Sequence, residues 1–144
     1  MPTRTGHARW EGNLKEGAGE VAFGGGLFRG RYSFGSRFEE GQGTNPEELL
    51  GAAHASCFAM ALSHALAEGG FAPEWVEATA HVTVRPERGG GFTISKSHLV
   101  AEARVPGIDP AKFQAIAEQA KAGCPVSKAL AGTEITLDAK LHAA

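Results

Sequence analysis

The stretch that most constrains the fold runs from Pro46 to Glu68 and reads PEELLGAAHASCFAMALSHALAE. Asn45 can cap a helix, Pro46 suits its first position, and Gly69 and Gly70 favour a stop, so the sequence predicts a helix over about Pro46 to Glu68. Small and apolar residues lie on nearly every side of this helix, which is typical of a helix buried all round. One chain with a single main sheet could hardly enclose it, so we expect a second copy in an obligate dimer. The alternative is that later helices cover the remaining face.

Strands are predicted on both sides of this helix. The segments GHARWEG, GEVAFGGG and LFRGRYSFGSRF indicate three short strands before it, and WVEATAHVTVRP alternates as a clear strand after it. In the following strand the apolar phase changes between Ile94 and Leu99, which suggests a bulge. A second helix capped at Asp109, a short third helix over 125–131 and a final strand EITLDAKLH complete an α+β chain, which we expect to form one domain over 1–144.

Charge and composition exclude several classes of function. The chain has 14 Lys and Arg against 16 Asp and Glu, a net charge of −2, which argues against nucleic acid as a partner. The N-terminal residues have no apolar core of the kind a signal peptide needs, and the longest nearly apolar run, Ala55 to Leu62, is too short to cross a bilayer. We therefore expect a cytoplasmic protein without a membrane partner, whose two cysteines are free thiols or a catalytic pair.

The two cysteines, Cys57 and Cys124, show neither a CxxC motif nor the ligand pattern of a structural zinc site. Cys124 precedes Pro125 and is expected to cap the short third helix, where backbone N–H groups lower the pKa of a thiol. Cys57 lies in mid-helix, where apolar burial would raise its pKa. Cys57 is therefore either an inert packing residue or a reactive thiol that needs a cation from elsewhere in the fold.

Arg37 is a candidate for that cation, at the predicted end of the third strand. Glu47, in the first helical turn, could hold its guanidinium by a two-point hydrogen bond. The alternative is that both are ordinary surface charges. His54 and His64 lie roughly on the helix face of Cys57 and could form a Cys–His pair or a metal site, or could be packing and surface residues. The other four histidines show no ligand spacing and are interpreted as strand-face residues.

Several segments together resemble the OsmC/Ohr family of thiol-dependent hydroperoxide reductases, and more closely its OsmC branch. They are ARWEGNLKEGAGEV, SRFEEGQGTNPEELLGAAHASCFAMAL, VPGIDPAKF, AKAGCPVSKAL and EITLDAKL. The resemblance runs in order from near residue 7 to the end of the chain. It implies an antiparallel sheet wrapped around a long central helix in an intertwined homodimer.

The resemblance also implies roles for the singled-out residues. Cys57 would be the peroxidatic thiol, and Cys124 the resolving thiol that closes a disulfide with it. Arg37 and Glu47 would be the family's arginine and glutamate, with the neighbouring arginines at positions 29 and 31 as competitors for the first role. The substrate would be an organic hydroperoxide, and the reductant an external dithiol, typically a protein-bound dihydrolipoyl group. No metal, haem or flavin cofactor would be required.

The sequence says less about the substrate pocket. Phe38, Met60 and Phe71 lie near the motif and could line an apolar pocket, or could belong to the ordinary core. The alternative function is a non-catalytic thiol redox sensor or binding dimer, which would oxidise once without turnover. The absence of an obvious effector tail or DNA-binding element disfavours it.

Overall fold

The computed structural model describes residues 1–143 and confirms the α+β class. The elements in chain order are β1 (Gly6–Glu11), β2 (Ala18–Phe23), β3 (Phe28–Tyr32), α1 (Phe34–Phe38), α2 (Pro46–Glu68), β4 (Trp75–Pro86), β5 (Phe92–Arg104), α3 (Pro110–Gly123), α4 (Pro125–Ala129) and β6 (Glu134–His142). The chain divides into two compact units, the first over Met1–Leu49 and the second from Leu50 onward.

The first unit is built on an antiparallel meander, β1-β2-β3. The predicted third strand ends at Tyr32, earlier than expected, because Ser33 and Ser36 form a reciprocal capping box that starts the short helix α1. Arg37 therefore lies in α1, and the prediction that it ends the third strand is wrong.

Helix α2 has the predicted bounds, and both ends are set by local hydrogen bonds. The side chain of Asn45 accepts a hydrogen bond from the backbone N–H of Glu48 at 2.8 Å. The Glu48 carboxylate accepts from the Thr44 hydroxyl at 3.1 Å, one residue before the cap that a capping box would use. At the other end Gly70 has a φ of 90°, and its N–H and that of Phe71 bond back into the last turn, as in a Schellman motif.

The second unit contains a sheet of order β4-β5-β6. β4 and β5 pair antiparallel, but β5 and β6 pair parallel, so the expectation of an antiparallel sheet does not hold for this last strand. The reason is that α3 and α4 lie between β5 and β6 and return the chain to the same end of the sheet. The predicted bulge is present: Thr83 pairs with Lys96 and Val84 with Ile94, which leaves Ser95 as the extra residue.

The core of the second unit joins one face of α2 to β5 and α3. Phe58, Leu62 and Leu66 of α2 are fully buried in it. By length and composition α2 as a whole could cross a membrane, although the run from Ala55 to Leu62 alone could not. Its buried face makes it a core helix here, while Met60 on another face is 75% exposed.

Candidate active site

The structure brings together the two cysteines that the sequence singled out. Cys57 lies in the middle of α2, and Cys124 lies between α3 and α4. Both are free thiols, and their Sγ atoms are 2.9 Å apart and hydrogen-bonded. Cys124 is fully buried, whereas Cys57 is partly exposed. A disulfide between the two cysteines can therefore close with little movement, and Cys57 is the member of the pair with exposed surface.

Cys124 is the more acidic thiol of the pair. Burial acts to raise its pKa, but hydrogen bonds from Cys57, from the backbone N–H groups of Ser127 and Val126 and from the Ser127 hydroxyl outweigh burial and lower the pKa. This confirms the direction predicted from its position at the start of α4. Cys124 occupies the N-cap position, although its neutral thiol makes no side-chain cap hydrogen bond.

The pKa of Cys57 is shifted in the direction that its mid-helix position predicted. Burial and the hydrogen bond and charge of Cys124 raise its pKa, and a backbone hydrogen bond from Val126 opposes them only in part. In the reduced pair Cys57 therefore keeps its proton longer than Cys124. No guanidinium is among the causes of this shift.

Arg37 and Glu47 form the second pair of predicted site residues, in the first unit. The guanidinium donates through Nε to both carboxylate oxygens, at 3.0 and 3.3 Å, and through Nη2 to Oε2 at 2.9 Å. The Glu47 side chain is 8% exposed and that of Arg37 is 31% exposed. The predicted two-point hydrogen bond is confirmed. Of the two competing arginines, Arg29 pairs with Glu20 and Arg31 is exposed on β3.

An apolar groove of about 230 Å³ adjoins the Arg37 guanidinium in the first unit. Its lining residues, most of them aromatic, are Trp10, Leu14, Tyr32, Ser33, Phe34, Arg37 and Phe38. Of the three residues proposed from the sequence as pocket-lining, only Phe38 lies in this groove. Met60 lines an exposed groove of the second unit, and Phe71 packs against the core. Sequence reasoning missed the contribution of Trp10 and Tyr32, because they come from separate strands.

His54 is a residue whose surroundings the sequence did not reveal. It is fully buried, its Nδ1 lies 2.7 Å from Ser97 Oγ, and its Nε2 lies 2.8 Å from Ser127 Oγ. Burial lowers the pKa of His54, so its imidazole is neutral near neutral pH. It makes no direct contact with Cys57 that would form a Cys–His pair. His64 is exposed near Glu68, and within residues 1–143 no group of three or more His, Cys, Asp or Glu is placed to hold a metal.

Comparison with known proteins matches this arrangement to one family. The family model described as OsmC-like protein matches residues 39–140, which include the α2 cysteine, Cys124 and Glu47. This chain belongs to the OsmC family. Peroxiredoxin OsmC of Escherichia coli (strain K12) is 50% identical over 139 residues, which cover 96% of each chain.

Two further relatives extend the OsmC-family comparison. The organic hydroperoxide resistance protein of Xanthomonas axonopodis pv. citri (strain 306) is 33% identical over 100 residues, covering 67% of each chain. The crystal structure of the organic hydroperoxide resistance protein OhrB of Bacillus subtilis matches with a TM-score of 0.71 at 26% identity, covering 96% of this chain and 98% of that chain. The α+β class and the OsmC-like fold expected from the resemblance are thereby confirmed.

Proposed function

We propose that this OsmC-family protein is a cysteine-based peroxidase that reduces organic hydroperoxides. One observation carries the proposal: two free thiols lie 2.9 Å apart, one of them open to solvent and the other buried and acidified. Such a pair can take an oxygen atom from a peroxide at the exposed sulfur and close a disulfide at once. The names of the relatives, peroxiredoxin OsmC and organic hydroperoxide resistance protein, support this chemistry.

Cys57 is the thiol that attacks the peroxide, although Cys124 has the lower pKa. Access decides the assignment, because the buried sulfur of Cys124 cannot meet a substrate. The two sulfurs share a hydrogen bond, so one proton can pass between them and place the charge on Cys57. The Cys57 thiolate attacks the distal oxygen of ROOH, the O–O bond breaks, and the alkoxide takes a proton to leave as an alcohol. Cys57 is then a sulfenic acid.

Cys124 completes the turnover. Its sulfur attacks the Cys57 sulfenic acid, an S–S bond forms, and the hydroxyl leaves as water with the remaining proton. An external dithiol returns the disulfide to two thiols by exchange through a mixed disulfide. From the family resemblance, we propose a protein-bound dihydrolipoyl group as this reductant, in the cytoplasm.

From the family resemblance, we propose that Arg37 is the cation that favours the thiolate of the peroxidatic cysteine and that stabilises the negative charge developing on the peroxide. Glu47 fixes the Arg37 guanidinium at two points. The apolar groove beside Arg37 suits the organic part of the substrate. Because α2 also leaves Met60 exposed, we propose that the chain works as an intertwined homodimer whose second copy covers this face.

The experiment is a turnover assay with tert-butyl hydroperoxide and dihydrolipoamide. The wild type is expected to consume many equivalents of peroxide, and Cys57→Ser none. Cys124→Ser is expected to form a sulfenic acid, trapped with dimedone at Cys57, without closing a disulfide. Consumption of a single equivalent by the wild type in the presence of reductant would favour the redox sensor instead. Full activity of Cys57→Ser would overturn the assignment of roles.

A further inference from the structure

The imidazole of His54 is buried and hydrogen-bonded in the second unit, but it takes no part in the peroxidase steps proposed for the two cysteines. Its two ring nitrogens each meet a serine hydroxyl, Ser97 of β5 at 2.7 Å and Ser127 of α4 at 2.8 Å. All three side chains are buried. Two well-formed hydrogen bonds to a buried histidine satisfy its polar atoms, and they also fix the plane of its ring.

Ser127 links this imidazole to the thiol pair. Ser127 is the third residue of α4, whose N-cap is Cys124, and its hydroxyl and backbone N–H are groups whose hydrogen bonds stabilise the Cys124 thiolate. The hydroxyl of Ser127 therefore stands between Nε2 of His54 and Cys124. A continuous line of polar contacts runs from Ser97 through His54 and Ser127 to Cys124, and from there to Cys57.

This line of polar contacts can transfer a proton, because it is made of hydroxyl and imidazole groups. A serine hydroxyl both donates and accepts, and a neutral imidazole donates from one nitrogen and accepts at the other. While Cys124 is a thiol and the His54 proton is on Nδ1, Nε2 accepts from Ser127, and the Ser127 oxygen is free to accept from the thiol. Once Cys124 is a thiolate, the Ser127 hydroxyl donates to that sulfur instead. The imidazole can take up a proton in this arrangement because its Nδ1–H is held by Ser97.

We propose that His54, acting through Ser127, is the positioning residue that takes the proton of the Cys124 thiol when Cys124 attacks the Cys57 sulfenic acid. This inference rests on the proposed peroxidase function. The thiol proton passes to the Ser127 oxygen as the Ser127 proton passes to Nε2, so Cys124 becomes a thiolate beside an imidazolium. The thiolate then forms the S–S bond with Cys57, and the S–O bond of the sulfenic acid breaks to release hydroxide. The imidazolium gives its proton through Ser127 to this hydroxide, so water leaves and the imidazole is neutral again.

The surroundings of His54 suit this role. Burial lowers the pKa of His54 and no neighbouring charge contributes, so the ring is neutral and can accept a proton. The titratable groups that face the line are the two thiols, Cys57 from α2 and Cys124 from the start of α4, while β5 contributes only the Ser97 hydroxyl. A buried imidazolium is disfavoured by itself, but here it forms only next to a thiolate, so the line stays neutral as a whole.

The test separates disulfide closure from sulfenic acid formation. Reduced protein is mixed with excess tert-butyl hydroperoxide over a range of pH, quenched at short times, and analysed by mass spectrometry for dithiol, dimedone-trapped sulfenic acid and disulfide. We expect His54→Gln and Ser127→Ala to slow closure by at least about tenfold below neutral pH, the scale of general acid–base assistance. Closure in these variants should then rise with pH, because Cys124 must lose its proton to solvent.

Two matched variants distinguish a proton path from a structural role. Ser97→Ala removes the other hydrogen bond of the same imidazole without interrupting the path to the sulfur, so it should slow closure less than Ser127→Ala. Ser127→Thr keeps a hydroxyl and should restore much of the closure rate. Equal slowing by Ser97→Ala and Ser127→Ala, or closure with an unchanged pH profile in His54→Gln, would overturn the inference. If the wild type forms no sulfenic acid at all, the proposed function fails instead.

Discussion

Breaking the ion pair between Arg37 and Glu47 measures how much it contributes to the free energy of unfolding. Glu47→Gln keeps the shape of the side chain and removes its charge. An exposed ion pair contributes about 0–1 kcal/mol, and breaking a fully buried one destabilises a protein by about 3–5 kcal/mol. With Glu47 8% exposed and Arg37 31% exposed, this pair lies between the two limits. We therefore expect the free energy of unfolding to fall by about 2 kcal/mol.

The neighbouring Glu48 offers a matched control. It lies in the same first turn of α2 but is exposed and hydrogen-bonded to the Thr44 hydroxyl rather than to an arginine. Both glutamates lose a similar helix-dipole interaction on conversion to glutamine, about 0.5 kcal/mol. The excess destabilisation in Glu47→Gln over Glu48→Gln therefore isolates the ion pair.

Urea unfolding at one fixed protein concentration measures this difference, and the peroxidase assay measures its functional consequence. In Glu47→Gln the Arg37 guanidinium is no longer held at two points, so kcat/KM for the peroxide should fall by about ten- to a hundredfold. Arg37→Lys keeps the charge without the fork geometry and should lose activity similarly. Equal stability and equal kcat/KM in Glu47→Gln and Glu48→Gln would refute the reasoning.

Two further predictions concern the thiols and the exposed face of α2. Folding lowers the pKa of Cys124, so below the ordinary thiol pKa of about 8.5 the folded state binds fewer protons than the unfolded chain. Folding raises the pKa of Cys57, so above that value the folded state binds more protons. The difference in urea midpoint between the wild type and a variant with serine at both positions should therefore rise with pH up to the ordinary thiol pKa and fall beyond it. A difference in midpoint that does not change with pH would contradict the two pKa shifts. Met60→Glu places a charge on α2 at a residue that is 75% exposed, and it should give a monomer by light scattering, whereas Ala111→Glu on α3 should not. An unchanged mass for Met60→Glu would argue against this dimer face.

Much of the fold could be predicted because its signals are local. The start of α2 depends on Asn45 and Pro46, its end on the two glycines after Glu68, and the bulge in β5 on a change of apolar phase around Ser95. Helix α1 was missed because Tyr32 and Phe34 continue the alternation of a strand. Only the reciprocal serine cap, without the acid of the usual capping box, marks it as helical.

The site was predictable as a set of residues but not as a network. The predicted pairing of Arg37 with Glu47 holds, because the two charges flank one loop. The partners of His54 come from β5 and α4, far along the chain, and no local pattern connects them. The directions of both thiol pKa shifts were predicted from local position, by helix N–H groups at Cys124 and by burial at Cys57. The effect of each thiol on the other was not predicted, because the two sulfurs come from distant parts of the chain.

In the proposed catalytic cycle, the unequal burial of the two cysteines determines which sulfur an external reductant attacks. A reducing dithiol can approach only the Cys57 side of the bridge, because Cys124 is enclosed. In that cycle the mixed disulfide therefore forms on Cys57, and Cys124 is the leaving group. A sulfur with a lowered pKa leaves fastest in such an exchange. The enclosed helix-end position that keeps Cys124 from the substrate thus makes the bridge easy to open from outside.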